Sequence, residues 1–412
     1  MRVAVVGGGP AGSRAAELLA GEGARVVLYE PRAGWEKPCG GGVPERAIDS
    51  CAFLREPSLP QRLCPRARIF SASGREATVS LAEPLRIYSR RELNGCFLAR
   101  ARSAGADLAP SRVTSLSRSG PTWQVEDSSG RKESFDFLVG ADGASGVVRG
   151  RILGKTVPLD QTIGLGFFLD GYSSDEIVLK FFRGLPGYLW IFPRSDHLAV
   201  GICGPAGQDP RVLQESLLRF LADLYGAGVL RRLRKYGARI PSIPSQASVA
   251  SSCQGSGWAL LGDAAGFVDP ITREGIHYAL ASAEHLAGAL RIGRPELYAV
   301  RCEESWGEEL RWASRHRDFF FSAGFIEAFT LLSSASRAVQ EVVSDLIAGR
   351  QSYRSLSRRL AGRGPSALAS LLTRAFQRLR DKRPESPPAN LRFLADDPSL
   401  TGPAGDTPSI GR

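Results

Sequence analysis

The chain has 412 residues, with 43% hydrophobic and 23% charged content and a formal net charge of +11. That length suits roughly two or three domains with large cores, and the balance is that of a globular protein rather than a fibrous or disordered one. The positive excess suits an acidic partner (a phosphorylated ligand, an anionic membrane surface or an acidic protein) or is a solvated arginine-rich surface, and no nucleic-acid-binding motif accompanies it.

Seven cysteines are scattered without a CxxC pair or a histidine spacing that suggests a metal, which predicts free thiols and a reducing compartment. The N-terminus enters a core strand at once and leaves no room for a cleaved signal peptide, so a cytoplasmic location is expected. The most apolar late segment, Phe319 to Ala335, carries Glu327 and falls short of a membrane span.

Val3 to Val6 is an apolar run suited to a buried parallel strand, and Gly7-Gly8-Gly9-Pro10-Ala11-Gly12 follows it directly. Ser13 to Gly21 reads as a helix, and a second apolar run, Val26 to Tyr29, ends in Glu30. This is a dinucleotide-binding βαβ unit. Gly7 makes the tight turn, Gly9 lets a pyrophosphate approach the backbone, and Gly12 lets helix and strand pack. The helix N-terminus faces the phosphates, and Glu30 accepts from ribose hydroxyls.

Pro38-Cys39-Gly40-Gly41-Gly42-Val43 cannot be the interior of a helix or strand, and such a loop can lay bare backbone against a flat ligand. From sequence Cys39 is either a reactive thiol or a small apolar filler. Short strands follow around residues 66 to 87. Ser89 then reads as the N-cap of a helix that begins Arg90-Arg91-Glu92-Leu93-Asn94 and runs to about Ala104. An arginine at a helix start opposes the dipole unless an anion binds there, so Arg90 is either a phosphate contact or a surface side chain.

Trp123 to Val125 and Phe135 to Val139 flank a Ser-Ser-Gly turn and read as a hairpin. The second strand ends in Gly140-Ala141-Asp142-Gly143, fixing a carboxylate at a sheet's carboxyl edge, with Ser145 and Arg149 just beyond. From about Thr156 to Ser251 the chain is strand-rich and antiparallel, with one helix at roughly Pro210 to Tyr225. Within it Tyr188, Trp190 and Phe192 alternate, so their rings share one face, either as core or as a pocket wall. Trp258 to Leu261 returns the chain to the parallel sheet and ends in Gly262-Asp263. Pro270 and Ile271-Thr272-Arg273-Glu274-Gly275-Ile276 then open a helix through about Leu290.

Residues 300 to about 383 read as helical, and the last stretch, from Leu368 to Arg383, is basic and amphipathic. Such a helix either rests on an anionic membrane or packs on the protein with its basic face in solvent. From Pro384 the tail reads as disordered.

The GxGxxG turn with Glu30, the Asp142-Gly143 motif with Ser145 and Arg149, and Gly262-Asp263 leading to Pro270 and Gly275 together resemble the FAD-binding superfamily of aromatic hydroxylases, halogenases and isoprenoid reductases. Two further motifs, Pro38 to Val43 and Tyr188-Leu189-Trp190-Ile191-Phe192-Pro193, resemble the PCGGG and YxWxFP signatures of the geranylgeranyl reductase family. That resemblance implies an α/β plus antiparallel β architecture. A discontinuous Rossmann-like FAD domain would take residues 1–65, 88–155 and 252–300, and a β-sheet substrate domain 66–87 and 156–251. A helical C-terminal region would follow over 301–383, then the tail 384–412.

The resemblance implies that Gly7, Gly9, Ala11, Gly12, Glu30, Arg32, Cys39, Gly40, Gly41, Arg90, Asp142, Gly143, Asp263, Pro270, Gly275 and Ile276 bind FAD. It makes Gly42, Val43, Tyr188, Trp190, Phe192 and Pro193 the lining of a lipid-shaped tunnel, with Cys39, Tyr188 and Trp190 the candidates for catalytic contact. It implies reduction of carbon–carbon double bonds in a polyprenyl lipid, diphosphate or quinone side chain, with NAD(P)H or a ferredoxin-like protein as electron donor and possible peripheral membrane contact. A flavin monooxygenase or halogenase is the rival on the same fold, and a non-catalytic prenyl-binding escort is a more distant one. Two departures stand out: Arg273 replaces the second residue of the usual TGEG, and Asn94 replaces the usual aspartate of RREFD.

Overall fold

The computed structural model describes residues 1–154, 159–249 and 252–361; the basic segment from Leu368 to Arg383 and the tail from Pro384 lie outside the described residues. Val3 to Val6, apolar at every position, takes the middle of a six-stranded sheet. Strand Arg2–Val6 runs parallel to Arg25–Tyr29 on one side and to Phe137–Gly140 on the other. Asp107–Ala109 extends the sheet beyond Arg25–Tyr29, and Trp258–Leu260 extends it beyond Phe137–Gly140, both in parallel. Because these strands point one way, Gly7, Glu30, Ala141 and Leu261 follow their carboxyl ends along a single edge. Residues distant in sequence therefore meet where ligands of open α/β sheets bind. Helices Pro10–Gly21 and Ile276–Arg291 pack against this sheet through one continuous apolar core.

A second, eight-stranded sheet is mostly antiparallel. In spatial order it holds Leu233–Ser242, Asp160–Asp170, His197–Pro205, Tyr188–Pro193, Glu176–Phe181, Gln61–Phe70, Glu76–Tyr88 and Gly42–Val43. The end of the triglycine loop is thus itself a short edge strand, paired with Arg86 and Ile87. Gln61–Phe70 is unbroken across the boundary expected at residue 65. Helix Pro210–Tyr225 has the expected bounds, with Asp209 capping it by accepting from the Arg211 N–H.

The hairpin needs correction. Thr122–Asp127 pairs with Lys132–Phe135 in a small three-stranded sheet, and Phe137–Gly140 leaves to join the parallel sheet. Phe135 to Val139 is apolar on both faces except at Asp136, which turns out to be a break between two strands. The Asp136 carboxylate caps the first strand by accepting from the Arg2 N–H at 2.7 Å.

After Arg291 the described chain is helical, through Leu297–Cys302, Glu308–Phe320, Ala323–Ala335, Arg337–Ile347 and Tyr353–Ala361. These helices cover the outer strands of the second sheet, where Leu332, Val339 and Val343 join Val79, Leu81 and Ile87 in one apolar cluster. Among the described residues no helix is long and apolar enough to cross a membrane.

Candidate active site

A cavity of about 710 Å³ lies between the carboxyl edge of the parallel sheet, the second sheet and the C-terminal helices. That is within the range of small-molecule and cofactor sites. One end is the phosphate-type turn. Gly7 has φ +102°, and a Cβ there would strike the backbone of Ala141, while a Cβ at Gly12 would strike the Gly7 carbonyl. At Gly9 a Cβ would meet nothing within 4 Å, and Gly9 and Ala11 line the cavity. The backbone is therefore packed where the sheet needs it and open where an anion would approach the helix N-terminus. Both Glu30 oxygens are held by backbone, accepting from Gly8 N–H at 2.8 Å and Arg32 N–H at 2.7 Å. The Arg32 side chain is exposed and stacks on Trp35 at 3.9 Å.

The triglycine loop forms the next stretch of wall. Gly40 and Gly42 lie against the Phe192 ring, and Gly41 has φ +87° with its α-carbon pressed toward the Tyr88 carbonyl. Val43 points away into a separate buried cluster with Ile48, Tyr88 and Ile276. Two residues the sequence did not single out fix this loop. Arg194, fully buried, donates to the Glu36 carboxylate and to the Cys39 carbonyl. Glu36 also accepts from the Ser89 hydroxyl, from Arg90 N–H at 2.7 Å and from Arg91 N–H at 3.2 Å. Ser89 does occupy the N-cap position, but its side chain makes no cap bond; Glu36 caps the helix instead. A carboxylate at that terminus is favoured by the helix dipole. Burial pushes the Glu36 carboxyl up, yet Arg194, Ser89 and the two backbone N–H groups outweigh it and hold it below the usual carboxylate range.

Arg90 is buried beside this loop, with its Nη2 donating to Asn94 Oδ1 at 3.4 Å and its Nε without an acceptor among the described residues. Burial raises the Cys39 thiol, but the Arg90 and Arg194 guanidiniums and the Gly41 N–H bring it below the ordinary thiol value. Lys37 reaches across the cavity to Asp263, Nζ to Oδ2 3.5 Å.

The other two motifs meet through Arg149, whose Nη1 donates to the Ala264 carbonyl at 3.1 Å. Gly143 lines the cavity, whereas the Asp142 carboxylate turns back to accept from Val148 N–H at 2.9 Å. Burial pushes Asp142 up to about 6. Pro270 is buried behind the loop, while Asp263, Gly275 and Ile276 face the cavity. The helix expected to open at Ile271 begins at Ile276. The residues before it form a turn closed on Asp269, whose Oδ1 accepts from Ile271 and Thr272 N–H at 2.7 and 2.8 Å. Tyr353, from the last described helix, donates to the same carboxylate at 3.0 Å. Glu274 lines the cavity and accepts from His277 N–H at 2.8 Å, and burial pushes its carboxyl up to about 7. Burial likewise drives His277 down to about 3, and both its ring nitrogens lack partners among the described residues.

Tyr188, Trp190 and Phe192 all line the cavity; Pro193 sits beyond them in the strand pair. Their rings need space on the neighbouring strands, and glycines supply it. Trp190 lies over Gly201, and the Tyr236 ring lies over Gly166, where a Cβ would come within 2.6 Å of its hydroxyl. The register places Trp190, Gly201, Gly166 and Tyr236 in one row across the sheet. Tyr188 donates to the Thr272 carbonyl and so ties the aromatic strand to the turn before Gly275. Phe320, Phe325 and Phe329 close the far side.

This arrangement fits FAD: an open Gly9 turn, a carboxylate at the second strand's end, and a buried arginine with an orphaned donor against a thiol loop. A model of the FAD binding domain matches residues 1–166. The geranylgeranyl diphosphate reductase of Rhodobacter capsulatus is 30% identical over 311 residues, covering 71% of this chain and 76% of that protein. The Synechocystis protein of the same name is 26% identical over 378 residues, covering 84% of this chain and 89% of that one. A solved geranylgeranyl bacteriochlorophyll reductase-like protein from Thermoplasma acidophilum has the same fold, with a TM-score of 0.72 at 20% identity over 88% of this chain and 98% of that one. The chain belongs to the geranylgeranyl reductase family of FAD-dependent oxidoreductases.

Proposed function

We propose that this protein saturates carbon–carbon double bonds of a polyprenyl substrate. The observation that carries the reading is one cavity lined together by the FAD-type residues, the triglycine loop and the aromatic row. When bound, FAD supplies the hydride from N5; the chain's own residues do the rest. Gly9, Ala11, Glu30, Arg90, Asp263 and Gly275 hold the cofactor at the sheet edge. Tyr188, Trp190, Phe192 and the facing phenylalanines exclude water and align an isoprenoid chain whose double bonds offer no polar handle. The discontinuous domain division, a tunnel lined by Gly42, Tyr188, Trp190 and Phe192, and the catalytic contacts of Cys39, Tyr188 and Trp190 belong to this proposal, as does an NAD(P)H or ferredoxin-like donor.

Glu274, whose carboxyl burial pushes up to about 7, is a cavity group placed to hold a proton near neutral pH. Dithionite-reduced protein, kept anaerobic, is expected to return to the oxidised spectrum on addition of geranylgeranyl diphosphate, and Trp190→Ala to slow that return by about tenfold or more. A reduced protein that ignores prenyl compounds yet reoxidises rapidly in air with substrate hydroxylation supports the monooxygenase reading instead.

A further inference from the structure

Among the described residues, Arg273 is the one non-glycine residue with a left-handed backbone, φ 61°. It stands where the family motif carries glycine, so the turn is kept and a cation is added to it. An arginine in that conformation is strained and persists only where something compensates. The side chain lines the cavity, and its Nε and Nη1 are buried with no acceptor among the described residues. The Asp269 carboxylate nearby is already engaged by Ile271, Thr272 and Tyr353.

The guanidinium instead acts electrostatically on the Cys203 thiol and the Tyr188 hydroxyl. Both belong to the second sheet, so the charge is turned toward the aromatic wall. Cys203 stands opposite Gly164, and Gly164 opposite Ala238, a row of small residues that leaves room in front of it. From Tyr188 the wall runs about 13 Å, at strand rise, to Phe192 and the triglycine loop. One end of the wall is thus a fixed cation with free donors, and the Trp190–Phe192 stretch beyond it is aromatic.

We propose that Arg273 reads the substrate's head group and that this group bears phosphate, as a prenyl diphosphate or a prenylated phospholipid, rather than a neutral quinone. The inference rests on the prenyl-reductase reading above. Buried donors without acceptors are costly, and a guanidinium fork matches phosphate oxygens while the isoprenoid tail takes the aromatic wall.

The test uses the oxidised, FAD-loaded protein and follows the flavin spectrum while titrating geranylgeranyl diphosphate, a geranylgeranylated glycerophospholipid and geranylgeraniol. The wild type should bind a phosphate-bearing ligand about tenfold or more tighter than the alcohol, the worth of one charge-assisted hydrogen bond, and the tighter of the two names the source. In Arg273→Gln that preference should collapse with affinity for the alcohol kept, and Arg273→Lys should restore part of it. Arg273→Gly, which relieves the backbone strain, should fold, stay yellow and lose the same preference. A preference that survives in yellow, folded Arg273→Gln and Arg273→Gly overturns the proposal. So does a lowered flavin midpoint potential with the preference intact, which would assign the cation to the cofactor. Wild-type protein that binds none of the three overturns the prenyl reading itself.

Discussion

The Arg90 and Arg194 guanidiniums hold the Cys39 thiol below its ordinary value against the opposing effect of burial. The motif marks Cys39 as unusual, but Arg194 approaches from 155 residues away, so the charge that tunes it is not legible locally. Alkylation followed by mass spectrometry should therefore show Cys39 reacting with a pH midpoint below the ordinary thiol value. Cys96, whose thiol burial pushes up, should react only at higher pH. Arg90→Gln should move the Cys39 midpoint upward; an unchanged midpoint would remove Arg90 from this role.

Glu274 gives a second test at this scale. Its folded pKa is raised to about 7, so the native state holds the proton more tightly than the unfolded chain does. The associated stability is full below the unfolded value of about 4.5 and is lost as pH rises through 7. Glu274→Gln, which mimics the protonated form, should match the wild type near pH 4.5 and be more stable at pH 8 by about 1–3 kcal/mol in thermal or denaturant unfolding.

At the scale of elements, helix Arg90–Ser103 starts with two arginines, against its own dipole, and the sequence offered an anionic ligand or solvent as explanations. Glu36 resolves the conflict from a loop more than fifty residues earlier, held in turn by the buried Arg194. Removing one partner of a buried pair leaves the other uncompensated. Arg194→Met should therefore cost about 3 kcal/mol and loosen FAD retention, and the double change Glu36→Gln with Arg194→Met should recover part of that loss. Denaturant unfolding of the single and double variants measures the coupling.

The aromatic strand was legible as a stripe because alternation fixes its face, but not as a pocket wall, because that depends on which residues face it. Gly201 and Gly166 make the space. Gly201→Ala should push Trp190 out of place, costing about 1–3 kcal/mol and slowing prenyl turnover while the flavin spectrum persists. Gly207→Ala, where a Cβ meets open space, should change neither. The hairpin misreading has the same origin: Phe135 to Val139 looks like one strand until Asp136 is seen capping the strand beside it.

Across the whole molecule, four strands of the parallel sheet were legible because each ends in a motif with its own chemistry, and parallel order brings those ends to one edge; Asp107–Ala109, which ends in no such motif, was not. The order of the second sheet was not, since Glu176–Phe181 lies parallel to Gln61–Phe70, which is distant in sequence and meets it through an apolar face and the Arg68–Glu176 ion pair. Nor was the closing of the cavity by helices after residue 308, whose phenylalanines read only as generic apolar positions. Yet that closure joins the cofactor edge, the thiol loop and the aromatic wall into one space, and the central claim depends on it.

The most direct test is the product of a single anaerobic turnover. Reduced, FAD-loaded protein is mixed with geranylgeranyl diphosphate and the prenyl chain is analysed by mass spectrometry. A prenyl reductase gives a gain of two hydrogens at each double bond reduced, with flavin reoxidation matching it in amount. A prenyl chain recovered unchanged, or one that gains oxygen once air is admitted, would contradict that function.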